Sequence, residues 1–182
     1  MNKISLAVAA SVLALAAGNA SAANSLNTGT MGLNFGFTNA TSFGNIGTPA
    51  SFMINGKYFA GKDLAVMAGF GLSINDSGQP TNAKNTDVGF MVGIRKYMKT
   101  EDFAPFVGGR FQYLSTSQGA NDLTDIYFGI EAGAEYFLAK QFSLEGSVGF
   151  GYASSEIQNA GGTTKATALG SRSYNVGANF YF

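Results

Sequence analysis

The sequence predicts an all-β protein: an eight-stranded antiparallel up-and-down transmembrane β-barrel, preceded by a cleaved signal peptide. Three observations carry that reading. Beyond Ala23 the chain alternates apolar with small or polar residues in eight stretches of roughly ten, the dyad signature of membrane strands. The breaks between stretches are alternately short and long. No apolar run after Ala23 is long enough to make a spanning helix.

Residues 1–22 read as the signal peptide. Lys3 supplies a short positive region, Ile4 to Gly18 is apolar and helical in character, and Ala20-Ser21-Ala22 is a small-x-small cleavage site. The barrel domain is then 23–182.

Successive residues of a strand point to opposite faces, so parity sorts each stretch into two sides. The first strand, 29–38, puts Met31, Leu33, Phe35 and Phe37 on one side and Gly32, Asn34 and Gly36 on the other. The second, 51–59, sets Phe52, Ile54 and Tyr58 against Asn55 and Lys57. The third, 64–74, sets Leu64, Val66, Ala68, Phe70, Leu72 and Ile74 against Gly69, Gly71 and Ser73. In the fourth, 87–97, Val88, Phe90, Val92 and Ile94 oppose Gly89, Gly93 and Arg95. In the fifth, 103–114, Pro105, Val107, Phe111 and Tyr113 oppose Gly108, Arg110 and Gln112. The sixth, 125–137, alternates Ile126, Phe128, Ile130, Ala132, Ala134 and Tyr136 with Glu131, Gly133 and Glu135. The seventh, 142–152, alternates Phe142, Leu144, Val148, Phe150 and Tyr152 with Ser143, Glu145 and Gly149. The eighth, 171–182, carries Tyr174, Val176, Ala178, Phe180 and Phe182 on the apolar side and Asn175, Gly177, Asn179 and Tyr181 on the other.

The short connections are 60–63, 98–102 and 138–141; the long ones are 39–50, 75–86, 115–124 and 153–170. Tight turns at one end and Gly/Asn/Ser/Thr-rich loops at the other are the layout of a barrel in an outer membrane. The side that faces outward decides the class. A soluble barrel fills its interior with apolar side chains. Here the non-apolar side is rich in glycine, which cannot fill a dry core. Its charges, Lys57, Arg95, Arg110, Glu131, Glu135 and Glu145, cancel three against three, which suits a structural network inside a lumen. Of these, the two arginines are expected to matter most, since a guanidinium can bridge two carboxylates. On the apolar side Phe52, Tyr58, Tyr113, Tyr136, Tyr152 and Tyr174 fall near strand ends, as an interfacial girdle requires.

A closed barrel in lipid leaves no strand edge open. The eighth strand is therefore expected to close against the first, and the terminal Phe182 to be structure rather than tail. The ending "NVGANFYF" resembles the C-terminal assembly signal of bacterial outer-membrane proteins, carried by Tyr174, Val176, Ala178, Phe180 and Phe182. "APFVGGRFQY" (104–113) and "GIEAGAEYFLAKQFSLEGSVGFGY" (129–152) are similar to hairpins of small eight-stranded outer-membrane barrels, the group of OmpX and the OmpA-type barrel domains. The resemblance spans essentially all of 23–182. It implies location in the outer membrane of a Gram-negative bacterium, contact with its lipids, and reading of the last strand by the assembly machinery. Unlike full-length OmpA-type proteins, this chain is expected to stop at the barrel.

Chemistry is not expected. Barrel enzymes of the palmitoyltransferase, deacylase and protease types use histidine, and this sequence has none. Glu135 and Glu145 are placed nearly opposite each other by the 138–141 turn and could serve as an acid–base pair, but an ion network that plugs a narrow lumen explains them better. There is no cysteine, no completed phosphate-binding loop after Gly56 or Gly61, and only scattered loop carboxylates (Asp76, Asp122, Asp125) for a metal. No catalytic, cofactor or metal residue is assigned. Formal net charge is zero, with 11 basic and 11 acidic residues, which excludes a nucleic-acid partner. Lys62, Lys96, Lys99 and Lys140 gather near the short-turn end and are expected to snorkel to headgroups. The expected protein is a non-enzymatic monomeric barrel that displays polar loops, with a role in envelope integrity or surface interaction and room for a surface ligand at the loops. The alternative is a narrow porin-like channel. Lumen glycines would leave room for water in it, and the inward cation–anion sets would obstruct it.

Overall fold

The structure is a computed structural model that describes residues 26–40, 51–75, 85–118, 121–159 and 161–182, with the side chains of 37–40, 51–53, 75, 85, 118 and 171–174 outside that description. The expected signal peptide, 1–22, lies outside the described residues, as do most of the connections 39–50 and 75–86.

Eight strands are present among the described residues: β1 (Met31–Ala40), β2 (Ser51–Gly61), β3 (Leu64–Asn75), β4 (Asn85–Tyr97), β5 (Phe103–Gln118), β6 (Asn121–Ala139), β7 (Phe142–Asn159) and β8 (Gly162–Tyr181). Each pairs antiparallel with the next, and β8 returns to β1, so the sheet is a closed barrel. The closing ladder runs from Gly32↔Tyr181 to Ala40↔Ser173. Below it, Met31 and Phe182 exchange backbone hydrogen bonds of 3.3 and 3.0 Å.

Parity sorts the faces. Ile54, Phe70, Phe90, Ile130, Val148 and Val176 stand exposed on the outer surface, while Asn55, Lys57, Arg95, Arg110, Glu131, Glu135 and Glu145 are buried inside. An apolar outside around a polar inside is stable only where lipid is the solvent. Tyr58 and Tyr136 mark the short-turn end of the outer face, and Tyr152 the other end, where Tyr113 stacks on Phe90 with ring centroids 5.2 Å apart. The side chains of Phe52 and Tyr174 fall outside the described residues.

The structure corrects three expectations. Segments 115–124 and 153–170 are largely strand: the β5–β6 ladder runs to Gln118↔Asn121, and the β7–β8 ladder to Asn159↔Gly162. Gly162, at φ 128°, makes the turn that lets β8 start there. The strands of these hairpins are rich in polar residues, so the apolar alternation that marks a lipid-facing strand disappears there. Phe142 is buried rather than lipid-facing. A bulge shifts the register from Phe137↔Ser143 to Ala139↔Phe142, so Phe142 and Ser143 both turn away from lipid. The lumen is also less open than its glycines suggested. Its short-turn end holds an apolar floor of Phe59, Tyr97, Phe106, Phe137 and Tyr181 around Leu26. Their rings touch in sequence around the barrel, Phe106 to Tyr97 at 5.5 Å, Tyr97 to Phe59 at 5.4 Å, Phe59 to Tyr181 at 6.1 Å and Tyr181 to Phe137 at 5.6 Å. Each such pair adds about 0.5–1.5 kcal/mol beyond its buried area.

Candidate functional site

Directly above the aromatic floor the lumen is crossed by charge. β6 and β7 pair so that Glu135 and Glu145 are direct cross-strand neighbours. Two inward carboxylates at that spacing repel unless a cation sits between them. Lys57 reaches across the barrel from β2 and supplies it, with Nζ 3.0 Å from Glu135 Oε2 and 3.0 Å from Glu145 Oε2. The same ammonium donates to the hydroxyls of Tyr97 (3.1 Å) and Tyr181 (3.0 Å).

Arg95 makes the second bridge. Its Nε donates to Glu131 Oε1 at 2.6 Å and its Nη1 to Glu145 Oε2 at 2.8 Å. Local sequence explains the reach: Gly108 lies between Arg95 and Glu131 in the cross-strand row, and a side chain there would meet Arg95 Cγ at 3.1 Å. The guanidinium carbon also lies 4.1 Å over the Phe106 ring, which joins the charge layer to the floor below.

Arg110 is less engaged than expected. It meets Glu131 Oε2 at 3.8 Å and faces the Tyr127 ring at 5.5 Å, and its Nε has no hydrogen-bond partner. The bridging position that sequence reasoning gave to both arginines belongs to Arg95 and Lys57.

Polar neighbours complete the shell. Glu135 Oε1 accepts from Ser143, Tyr181 and Asn179, and Glu135 Oε2 accepts from Tyr97 at 2.8 Å. Asn175 donates to Glu145 Oε1 at 2.9 Å and Asn179 to Glu145 Oε2 at 3.1 Å. Asn179, Asn34 and Asn55 then form a chain across the β8–β1–β2 seam, at 2.8 and 3.1 Å. Parity had placed Ser143, Asn175, Asn179 and Tyr181 inside, but their part in holding the carboxylates was not read from it.

All oxygens of Glu135 and Glu145 are thus occupied by donors of the chain itself. Carboxylates held this way by fixed cations, hydroxyls and amides are positioned as structural acceptors of the network. Among the described residues no group of three or more His, Cys, Asp or Glu side chains is arranged to hold a metal ion.

Residues 7–182 match the outer membrane protein beta-barrel domain family. The chain belongs to that family. It is a barrel of the Gram-negative outer membrane, a class in which the short turns face the periplasm. Among solved structures it is similar to the N-terminal β-barrel domain of OprF from Pseudomonas aeruginosa, with a TM-score of 0.54 and 13% identity over 85% of this chain and 98% of that one. OprG from Pseudomonas aeruginosa gives 0.56 and 11% over 86% and 97%. Neisserial surface protein A gives 0.50 and 17% over 84% and 96%. At these identities the likeness is one of fold. No curated protein sequence matches significantly.

Proposed function

We propose that this family member is a sealed, non-enzymatic barrel whose working part is what it carries outside the cell, the β5–β6 and β7–β8 hairpins, and that Lys57, Arg95, Arg110, Glu131, Glu135 and Glu145 serve as the lumen plug. The carrying observation is how little space is left at the charge layer. The void lined by Lys57, Arg95, Arg110, Gln112, Glu145 and Asn175 measures about 10 Å³, room for about one water. An ion passing through would meet the bridged carboxylates and then the aromatic floor, and each would have to open. The hairpins support a surface-interaction role over a purely structural one. They continue as paired strands beyond the lipid, and residues 161–167 are exposed on both faces.

Planar-bilayer recording on the refolded protein tests the sealed reading. Wild type is expected to show no steady conductance. A large, steady conductance would replace this reading with the narrow-channel one. Adhesion of cells that display wild type, beside cells in which 153–170 is replaced by a tight turn, tests the surface role. Equal adhesion would leave envelope integrity as the role.

A further inference from the structure

We propose that the outer face of β4–β7 carries a groove for one acyl chain of an anionic glycerophospholipid of the periplasmic leaflet. A depression of about 600 Å³ lies there, within the size range of about 300–1,000 Å³ of small-molecule sites. Two cross-strand rows build it. The row farther from the periplasm is Ile94, Gly109, Ile130 and Phe150; the nearer one is Lys96, Val107, Ala132 and Val148. Four strands at about 4.8 Å spacing give it a length of roughly 14 Å.

The floor is made by Gly109 and Ala132, and Gly109 has no reason inside the chain to be glycine. It does not have positive φ, and a Cβ there would come no nearer than 3.9 Å to any atom, the Gly129 carbonyl oxygen. The outward glycines Gly56 and Gly146 are equally open, at 3.8 and 4.0 Å, but they do not line this depression; inward glycines differ. At Gly133 a Cβ would meet the Gly146 carbonyl oxygen at 2.3 Å and Phe106 Cζ at 2.7 Å. Lumen packing therefore accounts for Gly133, whereas the space over Gly109 opens only toward lipid.

Charge selects the headgroup. Lys96 lines the periplasmic end of the groove, half exposed, with its ammonium bonded to Asp63 and with exposed Lys62 beside it. Those three groups carry a net single positive charge at headgroup level, complementary to a phosphate ester whose chain lies along the apolar floor.

The test is refolding into vesicles of equal phosphatidylethanolamine and phosphatidylglycerol, extraction in mild detergent, and native mass spectrometry. Wild type is expected to retain one phosphatidylglycerol. Gly109→Leu fills the floor and should lower retention roughly ten-fold, about the worth of two buried methylenes. Ala132→Leu, exposed on the same floor, should do the same and serves if Gly109→Leu does not fold. Lys96→Gln should keep a lipid but lose about five-fold of its preference for phosphatidylglycerol, the equivalent of ~1 kcal/mol per basic residue at a membrane surface. Equal retention by wild type and both floor variants would overturn the proposal and leave ordinary annular lipid. So would a wild-type dimer that either floor variant converts to monomer, since the occupant would then be a second copy of the chain.

Discussion

Replacing Lys57 with methionine keeps most of the side-chain volume and removes the charge that joins Glu135 to Glu145. Each ion pair, at 3.0 Å, has a gross attraction of roughly 5–6 kcal/mol at an effective dielectric constant near 20, and desolvation offsets most of it. What remains in the variant is the repulsion. Both Oε2 atoms lie 3.0 Å from one nitrogen, so they are within about 6 Å of each other, and two charges at that distance repel by roughly 3 kcal/mol on the same scale. Two phenols also lose a cation partner. The expected loss of unfolding free energy is about 3–5 kcal/mol, the usual cost of removing one member of a buried pair. Urea unfolding in phospholipid vesicles, followed by circular dichroism and by the gel shift between folded and heated protein, measures it. Arg110→Ala is the comparison: its pair with Glu131 is looser, at 3.8 Å, and Glu131 keeps Arg95, so it should cost clearly less than Lys57→Met. Adding Glu135→Gln to Lys57→Met removes the repulsion and should recover at least half the loss. A Lys57→Met barrel as stable as Arg110→Ala, or a double variant whose losses simply add, would refute the reasoning.

Phe182→Ser should lower outer-membrane yield in cells several-fold while leaving unfolding in vitro nearly unchanged. The side chain is exposed, and the backbone bonds to Met31 survive the substitution; equal yields in cells would count against the assembly role proposed for the outward residues from Tyr174 to Phe182. Gly133→Ala should destabilise by roughly 1–3 kcal/mol through overpacking, whereas Gly146→Ala, whose Cβ would come no nearer than 4.0 Å to any atom, should be neutral in the same urea series. At the periplasmic turn, the hydrogen bond from Lys96 holds the Asp63 carboxyl below its usual value. A depressed carboxylate contributes its stability above the unfolded value and loses it as pH falls through the folded one. An NMR titration should therefore find Asp63 below the ordinary range in wild type and back within it in Lys96→Gln.

Most of the fold could be read from parity, because lipid imposes it: outward positions within the lipid are apolar or small, and Lys96, near the short turns, is the kind of exception that headgroups allow. The strand ends beyond the lipid could not. Ser115–Gln118 are polar on both faces, and Ser154–Asn159 are too apart from Ile157, so their composition reads as loop although their backbones stay paired. Alternation alone puts Phe142 on the lipid side, because one bulge reverses the parity that the rest of β7 obeys. At the site, the facing of Glu135 and Glu145 follows from a local turn and needs only counting. That Lys57 and Arg95 stand at the height of this pair also follows from counting above the short turns; which atoms they meet does not, because both cross the lumen and their meeting depends on the stagger with which the barrel closes. The inward aromatics Phe59, Tyr97, Phe106, Phe137 and Tyr181 stand in the sequence at or next to the last inner position of five strands at the short-turn end. Alternation on the apolar side does not reveal them, because these rings sit on the opposite parity.

The lumen network also has a mechanical meaning. The backbone ladders form a hoop, strong along its circumference yet free to flatten into an oval when the surrounding lipid presses on it. Lys57 on β2, Arg95 on β4, the glutamates on β6 and β7, and Asn179 on β8 meet near the axis and act as spokes on a common hub. A wheel braced in this way cannot lose its roundness at one place alone. Flattening pulls on several spokes at once, so the barrel should keep its cross-section in membranes of differing lateral pressure and, when it does fail, fail as a whole.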